Sequence, residues 1–257
     1  MTALSFRQGS RRQRGFTMVE IMVVMLIGLF LMGGLLRLVQ DNRRTFKSQN
    51  SLAQLQDSER LAMSMLTDIV QQAGYFPNPT ANTATSAIIG NNGLAAGQPL
   101  SGTFSGTAPG DTITVQYATN SGDGILNCSG SPNTSGGVVS YTSVFSVSNG
   151  QLVCTQTAGN ATTPYTLVGT DKTLANGIVV TNLSVLYGIN TTGSTDTVNE
   201  YVTAPNVPNW SNVISAQITL TFVNPLYMAS GANVGQGIQA PTLSIQRFIS
   251  VMNQTGI

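Results

Sequence analysis

Between Phe16 and Leu36 the chain carries 21 consecutive positions with a single charged residue, Glu20. As a helix rising 1.5 Å per residue they span roughly 30 Å, about one bilayer core. Arg7, Arg11, Arg12 and Arg14 precede the run, and Arg37 closes it. A secretory signal would carry its small-residue cleavage site after the apolar stretch. Here the plausible cut lies before it, so the apolar segment stays on the mature protein. Whatever else this chain folds into, it must house a retained apolar helix.

The segment GFTMVEIMVVMLIGL, starting at Gly15, resembles without a gap the class III signal of type IV pilins and type II secretion pseudopilins. The resemblance implies that a prepilin peptidase cuts between Gly15 and Phe16 and methylates the new Phe16 amine. It also implies that Glu20 pairs with the N-terminal amine of a neighbouring subunit as subunits stack. An ionised carboxylate at membrane depth costs about 2.5 kcal/mol or more, so Glu20 needs a reason to be there. The plainer alternative is a glutamate that snorkels to the headgroup layer.

Charge alone does not orient the span. Four basic residues lie before it, and Arg37, Arg43, Arg44 and Lys47 lie beyond it, so the positive-inside count is a near tie. A cytoplasmic N-terminus follows from the resemblance and from the cysteines below. Gly28, Gly33 and Gly34 each cost about 1 kcal/mol of helix propensity against alanine. Glycine is common in membrane helices. These three also suit a stretch that loosens when a subunit leaves lipid for a filament.

No proline or glycine occurs from Leu35 to Ala73. Leu52, Leu55, Ala62, Leu66, Ile69 and Ala73 recur at helical spacing, widened by Leu61, Met65 and Val70, with Gln56, Asp57, Arg60, Thr67 and Asp68 mostly opposite. Gly74, Pro77 and Pro79 end the pattern. This predicts one helix over about 17–73, apolar all round in its first half and one-sided in its second.

Beyond residue 77 the chain turns to Gly, Ser, Thr and Asn, with recurrent strand patterns. Ile113, Val115 and Tyr117 alternate with polar residues, as do Leu183, Val185 and Tyr187. Ile214 to Phe222 is the longest alternation, and Leu243 to Met252 reads as a last strand. Val144–Val147 and Leu152–Thr155 flank Asn149-Gly150, a hairpin signal. Strands without intervening helices imply an antiparallel sheet with one face on the amphipathic helix, an α+β fold. Residues 77–110 and 191–209 read as long surface loops. Cys128 and Cys154 in an exported β-rich domain read as one disulfide and so as periplasmic exposure. Two unpaired buried cysteines are the alternative, and two cysteines without histidine do not make a metal site.

Seven further pieces occur in order: AGYF at 73–76, GDTITVQY at 110–117, Cys128, GQLVC at 150–154, LYGIN at 186–190, EYVTA at 200–204 and WSNVISAQITL at 210–220. Together with the N-terminal signal they resemble the PilW family of type IV pilus minor pilins, over nearly the whole chain. That family is related to the J-type pseudopilins of type II secretion. The resemblance implies a type IV pilin-like fold: a cleaved leader at 1–15, a membrane and filament-core half-helix at 16–37, an amphipathic half at 38–76 and a periplasmic β-domain at 77–257. It implies a precursor in the inner membrane that moves to the pilus. Its partners would be prepilin peptidase, other minor pilins and the major pilin. The implied function is initiation of pilus assembly, in support of twitching motility, adhesion or DNA uptake. A type II secretion pseudopilin and a pilus-tip adhesin are the alternatives.

Removing the leader would leave seven basic against ten acidic side chains, and residues 77–257 hold only Lys172 and Arg247 against five acids. That gives no basic groove for nucleic acid. The chain has no histidine, no nucleophile elbow and no phosphate loop, so no enzyme activity, cofactor or small-molecule substrate is expected. Asp196 and Glu200 are weak candidates for Ca²⁺ oxygens and read more simply as a solvated loop. Trp210, the only tryptophan, reads as a packed anchor ahead of a strand, with a glycan-binding aromatic as the alternative.

Overall fold

The computed structural model describes residues 15–171, 177–192, 197–227 and 240–251. The chain forms two compact units, Met1–Gln49 and Asn50–Ile257. Helix α1 spans Met18–Gln71. In the first unit every described residue up to Lys47 is exposed, as expected of a helix apolar all round that has no core of its own. Its early part is long and apolar enough to cross a membrane.

In the second unit the helix becomes one-sided. Leu55, Ala62, Met63, Leu66, Ile69 and Val70 are buried. Leu61, expected to widen the stripe, is exposed, and Met63 takes the buried position instead. Leu61 lies about 100° round the helix from Ala62, off the seam that Leu55, Leu66 and Ile69 define. The helix ends before Gly74, whose positive φ of 78° turns the chain and whose N–H donates to Gln116 O at 2.8 Å.

The described residues hold nine strands in two antiparallel sheets, where the sequence pattern suggested one. The first sheet runs in chain order: β1 (Leu100–Thr103), β2 (Thr112–Thr119), β3 (Val139–Ser148), β4 (Gln151–Ala158) and β5 (Ala161–Gly169). The second comprises β6 (Val180–Ile189), β7 (Glu200–Val202), β8 (Val213–Val223) and β9 (Thr242–Ser250), in spatial order β7-β6-β8-β9. The β3–β4 hairpin turns at Asn149 and Gly150, both at positive φ (55° and 84°), as the Asn-Gly pair requires. Residues 77–110 are not merely a surface loop. They contain a short helix α2 (Ala84–Ala87) and β1, and Ile88, Leu94 and Leu100 are buried.

The inner faces of both sheets and the helix stripe share one apolar core. Strand β6 joins the sheets. One edge pairs with β8, while β7 covers the other edge only from Tyr187 to Ile189. The remainder of that edge is completed by the end of the first sheet. Val180 N donates to Gly150 O (2.8 Å), Leu183 N to Pro109 O (3.1 Å), and Asp111 N to Leu183 O (2.7 Å). Val185 N donates to the Asp111 carboxylate (Oδ2, 2.9 Å), whose other oxygen accepts from Ser105 N (2.9 Å). The approach is so close that a Cβ at Gly110 would collide with Leu183 O. Beside it Tyr187 is fully buried. Burial, and then the Asp111 charge, push its hydroxyl pKa up.

Asp111 is buried and supplies the acceptors for two backbone N–H groups. Asp111→Ala should lower unfolding stability by about 2–4 kcal/mol, with Asp111→Asn intermediate, in denaturant titrations of the purified protein. On α1, burial raises the Glu59 carboxyl pKa, so its charged form weakens the fold. Glu59→Gln should therefore unfold at higher temperature at neutral pH. The gain should vanish as pH falls below the ordinary carboxylate range, where both side chains are neutral.

Candidate functional site

The residues singled out for processing lie where the chain enters α1. Gly15, Phe16 and Thr17 precede the helix in non-helical conformation and are exposed, with open space around Gly15. A peptide bond in such a segment is accessible to a peptidase. Thr17 caps the helix: its carbonyl accepts from Glu20 N (3.0 Å) and Ile21 N (3.3 Å), and its hydroxyl accepts from Glu20 N (3.4 Å). Thr17-Met18-Val19-Glu20 therefore has the spacing of a capping box. That signal stands in the sequence beside an apolar run that masks it. Glu20 consequently occupies the first helical turn, where the unpaired N–H groups and the helix dipole favour an acid.

In the second unit Cys128 and Cys154 are joined as a disulfide, with Cα atoms 6.2 Å apart. Cys154 lies on the core face of β4, level with Phe145 of β3. The bond ties the 120–138 connection to the sheet, and Cys128 N adds a hydrogen bond to Gln156 Oε1 (2.8 Å). The same connection is held by Asn133, whose amide donates to Thr119 O and Gly137 O, both at 2.9 Å. Trp210 is a packed anchor. Its ring meets buried Tyr187 edge-on with centroids 4.8 Å apart.

Glu200 is exposed on β7, and Asp196 lies outside the described residues. Among the described residues no group of three or more potential metal ligands comes together. A cleft of about 490 Å³ opens between Ile89, Asn91, Ser140 and Tyr141 and contains no titratable group apart from that tyrosine.

Residues 10–36 match the prokaryotic N-terminal methylation motif, and residues 139–239 match type IV pilus-assembly protein W. The pilin-like protein PilA3 of Thermus thermophilus is 31% identical over 109 residues, 42% of this chain and 42% of that protein. The chain's match thus spans less than half the length of this curated relative. A solved type IV-like pilin from Thermus thermophilus aligns with a TM-score of 0.45 at 16% identity, covering 78% of this chain and 96% of that one.

A prokaryotic N-terminal methylation motif, a helix that is apolar and exposed in its first half and an antiparallel β-domain define a type IV pilin-like protein. Within that class, residues 139–239 are similar to type IV pilus-assembly protein W.

The disulfide closes a loop of moderate length, so its loss should be felt in stability rather than in secondary structure. Replacing Cys128 and Cys154 together by alanine should cost about 3 kcal/mol in denaturant unfolding, with circular dichroism nearly unchanged.

Proposed function

We propose that this chain is a minor pilin that joins other minor pilins in a tip or priming complex and so initiates type IV pilus assembly. The observation that carries the reading is the order of parts at the N-terminus: Gly15-Phe16 in accessible backbone, then Glu20 in the first turn of a helix whose first half is apolar and exposed.

The leader and apolar helix hold the precursor in the inner membrane with the leader cytoplasmic. The β-domain then folds in the periplasm, an oxidising compartment that suits the Cys128–Cys154 bond. Prepilin peptidase cuts after Gly15 and methylates the Phe16 amine. Glu20 pairs with the amine of an adjacent pilin, and each charge offsets the cost of holding the other away from water. Helix surface leaves lipid for contact with other pilin helices, which is nearly neutral in hydrophobic terms, so packing and the charge pair set the register. Residues 1–15 are the discarded leader, 16–37 the filament-core segment, 38–76 the amphipathic half-helix and 77–257 the domain that selects neighbours, including the major pilin. Twitching motility, adhesion or DNA uptake would follow from the filament, with no nucleic acid bound directly.

Glu20→Ala should cut incorporation into filaments by about a hundred-fold, the equivalent of roughly 3 kcal/mol for an orphaned charge. Precursor should still accumulate in the membrane, and unchanged incorporation would remove the pairing role. Cells lacking the gene should show few or no pili by electron microscopy with normal exoprotein secretion. Normal pili with exoproteins trapped in the periplasm would instead make the chain a type II secretion pseudopilin.

A further inference from the structure

The two sheets have four outer edges, and three are blunted in the ways proteins protect such edges. Strands β1 and β7 are only four and three residues long, and β5 carries Pro164 in its exposed half. Strand β9 differs. It is nine residues long, has no proline, and keeps an unbroken register with β8 from Thr242 to Ser250. Beyond it the sheet has no further strand among the described residues.

The phase of its backbone follows from the hydrogen bonds at its ends. Val251 N donates to Ile214 O (2.8 Å) and Asn224 N to Pro241 O (3.0 Å). In an antiparallel ladder the odd-numbered residues of β9 therefore face β8, and Ser244, Gln246 and Phe248 direct their N–H and C=O groups outward. The charge that would guard the edge does not do so. Arg247 donates to Thr67 Oγ1 of α1 at 3.2 Å. No carboxylate pairs with it among the described residues.

Among the described residues, the outward side chains of β9 beside this edge, Ser244, Gln246 and Phe248, carry no charge. Phe248 is 59% exposed and meets Tyr201 edge-on at 5.5 Å. The Tyr201 hydroxyl reaches Ser215 Oγ across β6 (3.1 Å). Gly188 lies beneath, where a Cβ would collide with Ser215 Oγ and crowd the Tyr201 ring. Covering this face costs no charge desolvation.

We propose that β9 is a docking edge for an extended segment from the globular domain of a different pilin-class subunit, which adds to the second sheet as a fifth strand. The segment has uncharged side chains over Phe248 and Tyr201 and an acid beside Arg247. This rests on the assembly reading above, which supplies neighbours of the same class. Backbone pairing supplies affinity, and the Phe248 and Arg247 contacts supply specificity.

The test uses the full-length chain in its own cells, with photoactivatable benzoylphenylalanine in place of Ser244. Irradiation should give an adduct that mass spectrometry identifies as another subunit with a prepilin methylation signal. Gln246→Pro deletes one outward N–H and no bond to β8, and should reduce the adduct about ten-fold. Gln246→Lys, a guarding charge, should do the same, while Gln246→Ala should not. Each variant is checked for the intact disulfide in a non-reducing gel. No adduct, an adduct only with a second copy, or one with a protein outside the pilin class overturns the proposal. So does an adduct indifferent to both Gln246→Pro and Gln246→Lys. An adduct in a strain whose pili survive deletion of the gene keeps the edge and removes the priming role. Loss of pili without an adduct does the reverse.

Discussion

The β-domain depends on how the second edge of β6 is closed. A central strand needs partners for its N–H and C=O groups on both sides, and β7 is too short to cover more than three residues of β6. The ends of β2 and β4 provide the rest, with the Asp111 carboxylate standing where a peptide carbonyl would otherwise accept from Val185. Two sheets that could have been separate layers are thereby locked end to side, and their inner faces turn toward one core. Only then does the stripe from Leu55 to Val70 on α1 have a continuous apolar surface to cover. Gly110 and Asp111 are local requirements of this junction. The first permits the approach and the second satisfies the backbone that the approach would leave bare.

That junction also marks where sequence reading stops. The helix, its end near Gly74 and the hairpin at Asn149-Gly150 were legible because each is written in a local pattern: a period near 3.6, a breaker, a turn pair that favours positive φ. The alternating strands β2, β6 and β8 were legible for the same reason. Leu-Ser-Gly-Thr of β1 and Ala-Thr-Thr-Pro-Tyr at the start of β5 have no such pattern, since edge strands need not bury alternate residues. The three residues of β7 are too few to show one. The junction between the two sheets was not legible at all, because it depends on Asp111 meeting Val185 across 74 positions of chain. At the N-terminus, the resemblance marks Gly15, Phe16 and Glu20 for their proposed roles, whereas the capping role of Thr17 shows only in the structure. A capping threonine and a membrane-facing one look alike until the hydrogen bond to Glu20 is seen.

The two units divide the chemistry in a way their compositions explain. In the first, residues 16–36 are apolar but for Glu20, so in the proposed assembly they can exchange one apolar surrounding for another without choosing between them. Selectivity must come from elsewhere. The second unit is poor in charge, and its surface offers hydroxyls, amides and a few aromatics. Such a surface gives little long-range steering, but it can be buried against a neighbour without stranding charge. The disulfide and the Asn133 amide then matter for a different reason. They fix the 120–138 connection, which contains five glycines and would otherwise lose much conformational entropy on being held at an interface.

Glu20 brings these threads together. An acid in apolar surroundings is costly, yet here it sits in the first turn, capped by Thr17, where the helix end contributes about 0.3–1 kcal/mol in its favour. That is less than the cost of about 2.5 kcal/mol or more for a charge at membrane depth. The helix terminus therefore lowers the energy of the waiting state without making it comfortable. In the proposed assembly the remaining deficit is relieved only when a neighbouring amine arrives at that depth. The unrelieved part provides a drive toward pairing. It also discriminates in register, because an amine displaced by one helical turn would sit about 5.4 Å away along the axis, where the carboxylate cannot form a hydrogen-bonded pair.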